Sequence, residues 1–549
     1  MTRPQFTHGL GWAAFALAVM LGALAGPQSP AAPLPPPSSP HQYLGVTQCI
    51  GCHSFENAAK NPGAKLYIEA GSTRFVRLNE NITWVSHDLH SRAFQNIDPA
   101  RNRTAKQMQD NLAKARPAGY SITAEASCLA CHASIKDKSE PPARRTHASF
   151  DTIQGVSCEM CHGYASSWLK PHADIRQGAD GKLGNAWREW PASAKQAWGL
   201  ANLRDPAIRA ETCASCHVGG AAEGRFVTHE MFAAGHPPLP PFDSPTFSRD
   251  EPRHWGLPRD MPLIVALAAD RPNDAWNGFH YRSEKGEAGE VYAARHLVES
   301  TVATFRASVR HIGQLASNGT GLDFAAFDCY ACHHDLKYPS PRQKRGFAGI
   351  PGRPTFRPSL TALVRIVAKN ASDSSADPLK ELDAIEAEMG QAFALQSFGD
   401  PAKVRAAADK FEAWAAAMLK TVRSVRYTRG KALELMRDLA AAGRDADQRI
   451  ADPETAQLIA WALVTLRNEF KETGSVEPAG MAAALAELDG IVVIRVRPDP
   501  FATKKIGSDE APVPVEDRLK ERMTLLNALE PAKFRAAFQK LAPLVNDFK

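Results

Sequence analysis

Apolar residues recur at helical spacing through the last third of the chain and in one long stretch before it. Val291, Ala294, Leu297, Val298, Val302 and Phe305 fall on one face of a helix predicted over 291–315. Val404, Ala408, Phe411, Ala415, Met418 and Val422 mark another, which Asp400-Pro401 opens as N-cap and first-turn proline. Asp452-Pro453-Glu454 opens a third, with Ala456, Ile459, Leu463, Leu466 and Phe470 on its apolar stripe. Further helices are expected over 359–370, 378–398, 429–442 and 515–529, and the run from Ile491 to Val496 is strand-like. Residues 359–549 therefore read as an α-helical bundle.

Upstream the pattern is broken. Between 43 and 340 only 104–115, 192–203 and the long 291–315 stretch carry a helical period, and Gly/Pro clusters such as 235–245 interrupt the rest. No alternation of a strand kind stands out. The first residues have another character: an apolar run from Gly11 to Leu24 after Arg3, with Ala23-Leu24-Ala25 as a small-residue cleavage site, reads as an export signal over 1–25. The run is short for a membrane span, so membrane association through an uncleaved segment is the second reading. Residues 26–42 form a Pro-rich linker, and 341–358 a basic Pro/Gly connector. The expected class is mainly α: a region over 43–340 with short helices and long loops, then the bundle.

Composition narrows this little. At 44% apolar and 23% charged, the 549 residues have an ordinary globular balance, which excludes wholesale disorder. A formal charge of +6 suits an acidic protein partner and is too weak to argue for nucleic acid.

The cysteines change the picture. All ten lie in five Cys-x-x-Cys-His motifs: Cys49, Cys52 and His53 (motif 1); Cys128, Cys131 and His132 (motif 2); Cys158, Cys161 and His162 (motif 3); Cys213, Cys216 and His217 (motif 4); Cys329, Cys332 and His333 (motif 5). Paired cysteines at this spacing also bind zinc, but a zinc ribbon does not require a histidine directly after the second thiol. Haem c does: the thiols add to the two vinyl groups and the histidine becomes the proximal iron ligand. Five covalently attached haem c groups are expected, and they would supply the core that 43–340 otherwise lacks.

Distal ligands decide whether such irons carry electrons or bind substrate. His90, His172, His229 and His236 are the leading candidates, and His147 follows. His87, His296, His311 and His334 read as structural or exposed, and His254 and His280 as part of a Trp- and Pro-rich loop covering a haem edge.

Gly-Val-Thr-Gln-Cys-Ile-Gly-Cys-His ending at His53, His-Ser-Arg-Ala-Phe from His90, Gly-Val-Ser-Cys-Glu-Met-Cys-His-Gly ending at Gly163, and Phe-Asp-Cys-Tyr-Ala-Cys-His-His-Asp-Leu around Cys329 resemble the cytochrome c-554 type of multihaem cytochrome. The segment from Cys213 to Leu239 is similar to larger members of that group. The resemblance covers about 43–338. It implies stacked and perpendicular haem pairs, mostly bis-histidine irons, and electron transfer linked to nitrogen-compound metabolism. The best-known form has four haems where this chain has five motifs, so no substrate or partner carries over. The Cys-x-x-Cys-Lys site of related nitrite reductases is absent.

Three function classes follow: an exported periplasmic or extracellular carrier relaying electrons between redox partner proteins, an oxidoreductase acting on a small nitrogen or sulfur compound at a five-coordinate haem, and an electron-conducting subunit of a larger complex. The bundle would serve docking or oligomerisation, or simply extend the haem region.

Overall fold

The computed structural model describes residues 41–55, 78–134, 146–177, 183–254, 290–317, 322–328, 355–372, 377–395, 398–445, 452–492, 494, 503–506, 509–512 and 529–548. The protein is mainly α-helical. Its first part carries eleven described α-helices, most of them short: α1 (Thr47–His53), α2 (Glu80–His87), α3 (Arg103–Ala113), α4 (Ala126–His132), α5 (Cys158–His162), α6 (Ala165–Ala173), α7 (Ala186–Glu189), α8 (Ala192–Ala197), α9 (Pro206–His217), α10 (His229–Ala234) and α11 (Ser244–Asp250). The long α12 (Tyr292–Ala316) follows. Then come α13 (Ser359–Ala371), α14 (Pro378–Ala394), α15 (Pro401–Ser424), α16 (Arg429–Arg444), α17 (Pro453–Glu472), α18 (Met481–Asp489) and α19 (Pro531–Asn546).

Asp-Pro pairs start four of the longer helices. Asp205, Asp377, Asp400 and Asp452 each accept a backbone N–H from the first turn, while the following proline sits where no donor is needed. The predicted 378–398 helix stops at Ala394, because the Asp400 N–H turns back to the Ala392 carbonyl at 2.9 Å and the chain reverses there. The predicted 192–203 helix ends at Ala197, where the Trp198 and Gly199 N–H groups close the turn.

Strands are few. The first region, where no strand stood out, holds the short antiparallel pair β1 (Arg176–Gln177) and β2 (Leu183–Gly184). A second pair, β3 (Thr503–Ile506) with β4 (Asp509–Pro512), follows the strand-like run. That run is not a strand where it is described: Ile491 and Val492 form the turn after α18, with N–H groups bonded to Leu488. The 515–529 helix falls on 515–528, outside the described residues, and Leu529 is not helical.

One apolar core runs through α9, α12 and the bundle without a break at the 341–358 connector. It includes Ala207 and Ala210 of α9, Leu297, Val302 and Phe305 of α12, and Phe411, Trp414 and Leu435 beyond. The small side chains of α9 let α12 approach closely, and α12 also packs along α15, where Phe305 meets Phe411 edge-on at 5.3 Å. Arg423 spans the junction, bonding Asp205 at 2.6 Å and Glu299 at 3.0 Å. Exposed ion pairs stabilise by only about 0–1 kcal/mol, so burial joins the two parts and the charges fix their register. Among the described residues, no helix is long and apolar enough to cross a membrane.

Candidate haem-binding site

Each described Cys-x-x-Cys-His motif closes a helix. His53, His132, His162 and His217 are the last residues of α1, α4, α5 and α9. Helical spacing puts the two thiols on one face and the histidine one position further round. The helices are gathered so that motifs far apart in sequence meet: the side chain of Cys49 lies against that of Cys158, and that of Cys131 against Cys216. Cys161 and Cys213 lie within electrostatic reach of each other. Motif 1 therefore lies beside 3, 3 beside 4, and 4 beside 2.

Backbone contacts hold this arrangement. Glu159, inside motif 3 and almost wholly buried, accepts the N–H groups of Leu44, Gly45 and Ala165 at 3.0, 2.7 and 2.7 Å. Burial raises its carboxyl above the usual range while those donors pull it back. Ser134, directly after motif 2, receives the Ser157 N–H at 2.6 Å and donates to the Gly155 carbonyl at 3.2 Å. Gly155 has φ +68°, and a Cβ there would stand 2.7 Å from the His90 carbonyl oxygen. That same carbonyl accepts the Val156 N–H at 3.0 Å, so the loop before motif 3 grips the backbone of His90.

Histidine rings face one another in pairs. The His53 and His172 rings are 6.2 Å apart and nearly parallel, at 8°. The His90 and His217 rings are 6.1 Å apart at 82°, and those of His162 and His254 6.4 Å apart at 72°. His236 lies within electrostatic reach of His132. With a metal–nitrogen bond of about 2.0 Å and a ring centre roughly 1 Å beyond the nitrogen, two imidazoles on opposite sides of one metal have centres about 6 Å apart.

The other ring nitrogen is occupied in most of these residues. Nδ1 of His53 bonds Glu80 at 2.8 Å, and that of His90 bonds Asp88 at 3.0 Å with Glu251 at 3.6 Å. Nδ1 of His132, His236 and His254 bonds the carbonyls of Ala93, Pro237 and Pro252 at 2.8, 2.7 and 3.1 Å. Fixing Nδ1–H in this way leaves Nε2 as the ligating atom, the usual arrangement around a metal-bound histidine. Burial pushes His162 down to about 4, helped by the charge of His254, and His217 down to about 3. Burial likewise takes His236 down to about 4 against the pull of the Pro237 carbonyl. These rings are neutral near pH 7, the form that binds metal. For His90 the desolvation is outweighed by Asp88 and Glu251, and its pKa is raised; Glu80 does the same at His53.

These residues fit haem c. The donor pairs have the spacing of axial ligands, and the buried Trp168 indole N–H, beside His172 at 5.5 Å between rings, has no acceptor among the described residues.

Residues 79–163 match the family described as cytochrome c554 and c-prime. The matched stretch has the character of a c-type cytochrome, the class that binds haem covalently and transfers electrons. It contains motifs 2 and 3, His90 and Asp88. The comparisons with curated proteins and with solved structures found no match.

Of the distal candidates, His90 and His172 face proximal histidines by ring contact, and His236 stands near one. His229, at the start of α10, donates its backbone N–H to Asp323 at 2.9 Å and packs edge-on against Phe324, just ahead of motif 5, itself outside the described residues. His147 is exposed, with Nδ1 on the Ser149 hydroxyl at 2.8 Å. His296 is buried, against the Ser244 hydroxyl at 3.3 Å, and His87 is exposed. His280 and His334 lie outside the described residues. His254 was expected only to cover a haem edge, and the structure sets it opposite His162. Glu80, Asp88 and Glu251 carried no signal in the sequence, since each becomes notable only once a histidine Nδ1 lies against it.

Proposed function

We propose that the chain is an exported pentahaem c-type cytochrome that relays electrons between redox partner proteins in a respiratory or nitrogen/sulfur-compound pathway. The observation that carries this reading is the set of paired imidazoles spaced 6.1–6.4 Å apart, each with one proximal member from a Cys-x-x-Cys-His motif. The cysteines of the five motifs would hold the haems, and the irons would be held by His53 with His172, His132 with His236, His162 with His254, and His217 with His90; His333 of motif 5 lies outside the described residues, and His229 is the remaining leading candidate that the sequence offers. Haem c supplies an iron that cycles between ferric and ferrous, one electron at a time.

The chain's own residues do the rest. The hydrogen bonds to Nδ1 fix each ring's tautomer and orientation, so a change of oxidation state requires little movement of the protein. Contacts among the described motifs run 1–3–4–2. The facing imidazoles at motifs 1, 3 and 4 support a carrier over an enzyme with a substrate-binding iron. Export agrees with the signal-like start and with haem attachment outside the cytoplasm.

The test is the intact mass of the purified protein with a haem stain, followed by stoichiometric reduction. Five added haems that survive denaturation and accept five electrons per chain are expected. A colourless product, or one that loses its haem on denaturation, overturns the reading.

A further inference from the structure

The axial histidines are backed by two kinds of acceptor. His53 Nδ1 is against the Glu80 carboxylate at 2.8 Å. His90 Nδ1 stands between two carboxylates from different parts of the chain: Asp88 at 3.0 Å, buried to 4% exposure, and Glu251 at 3.6 Å, which follows α11. Asp88 is fixed as well by accepting the His90 N–H at 2.9 Å, and Glu251 by the bond from its own N–H to the Phe247 carbonyl at 2.9 Å. At motif 2 both rings, His132 and His236, are backed by neutral backbone carbonyls.

We propose that Glu80, Asp88 and Glu251 are positioning residues that sort the reduction potentials, making the irons of motifs 1 and 4 low-potential centres and that of motif 2 a higher one. The assignment rests on the axial ligation proposed above. A carboxylate draws the Nδ1 proton toward itself, which raises the electron density and basicity at Nε2. It also places negative charge near the iron in a low-dielectric setting. Both effects favour ferric over ferrous iron, whereas a carbonyl gives a weaker version of the first and carries no net charge. Because contacts run 1–3–4–2, low-potential centres are separated along the series and the motif 2 end lies downhill from motif 4.

The experiment is a spectroscopically monitored redox titration of the full-length holoprotein beside Glu80→Gln and a Glu251→Gln, Asp88→Asn double variant. Glu80→Gln is expected to raise the reduction equilibrium constant of one centre at least tenfold, about 59 mV for a one-electron couple. The double variant should raise a different centre by a similar factor, with low-spin content unchanged in both. Unmoved potentials in correctly ligated variants, or the same centre moving in both, overturn the proposal. The unmodified protein gives a second measurement should a variant fail to fold: at least two centres must titrate below the rest, and a titration with all centres inside one tenfold range overturns it. A protein without low-spin haem refutes the relay reading itself, whereas low-spin haem with unshifted potentials refutes only the carboxylate assignment.

Discussion

His172 and His254 each face a proximal histidine across the space for one metal ion, so each single substitution has a defined outcome. His172→Ala and His254→Ala should each convert one low-spin ferric haem to high spin and leave the others, as read by electron paramagnetic resonance. Substitution of either with no spectral change would remove it as a ligand. Gly155→Ala tests how His90 is held. The Gly155 backbone, at φ 68° and ψ −144°, lies in a region essentially reserved for glycine, which costs another residue about 1–3 kcal/mol, and the new methyl would also press on the His90 carbonyl. The expected result is a destabilised protein whose disturbed low-spin signal belongs to the His90 iron; a wild-type melt and spectrum would contradict this. The proximal ligands were legible in the sequence because attachment chemistry fixes Cys-x-x-Cys-His within one helical turn. The pairing was not, since His53 meets His172 and His162 meets His254 only after the chain folds. His254 shows the cost: next to Pro252 and Arg253 it looks like any loop histidine.

At the scale of elements, local chemistry was most legible where it is self-contained. The apolar stripes of α12, α15 and α17, with the Asp-Pro starts of α15 and α17, located those helices, whereas 192–203 and 378–398 were read too long because the reversals at Trp198 and Asp400 depend on backbone bonds that leave little trace in composition. The start of the β-branched run was misread for a related reason: Ile491 and Val492 close α18 by bonding back to Leu488 instead of pairing with a neighbour. The cap of α17 carries a pH dependence. Burial, with Glu454 nearby, raises the Asp452 carboxyl to about 7, against about 3.9 in an unfolded chain. The folded state therefore binds a proton the unfolded state does not, and this stabilisation is full below about pH 4 and lost as pH rises through about 7. Asp452→Asn keeps an acceptor for the Thr455 N–H, bonded at 2.9 Å, and removes that loss. Thermal melts should show the variant gaining on the parent as pH rises from about 5 to about 8. A difference that does not vary with pH would contradict the assignment.

The molecule as a whole reads as two regions in sequence, a cysteine-bearing part and a cysteine-free bundle, and the bundle's role stayed open between docking and support. The common core favours support: α9, which ends in His217, rests on α12, and α12 is covered along its length by α15. Deleting 359–549 would expose the apolar face around Phe305 and loosen α9. The truncated chain should aggregate or lose the motif 4 low-spin signal, as seen by size-exclusion chromatography and electron paramagnetic resonance. A soluble truncation with unaltered spectra would show instead that the bundle is dispensable to the haem region.

The central claim is that every iron lies between two histidines. Quantitative electron paramagnetic resonance of the fully oxidised holoprotein tests it most directly, by integrating low-spin and high-spin ferric signals against the haem content. The account predicts low-spin iron at every haem, with the nearly parallel His53 and His172 rings giving a rhombic signal and the crossed His90–His217 and His162–His254 pairs giving strongly anisotropic ones. A stoichiometric high-spin signal that shifts on adding nitrite or hydroxylamine would contradict it.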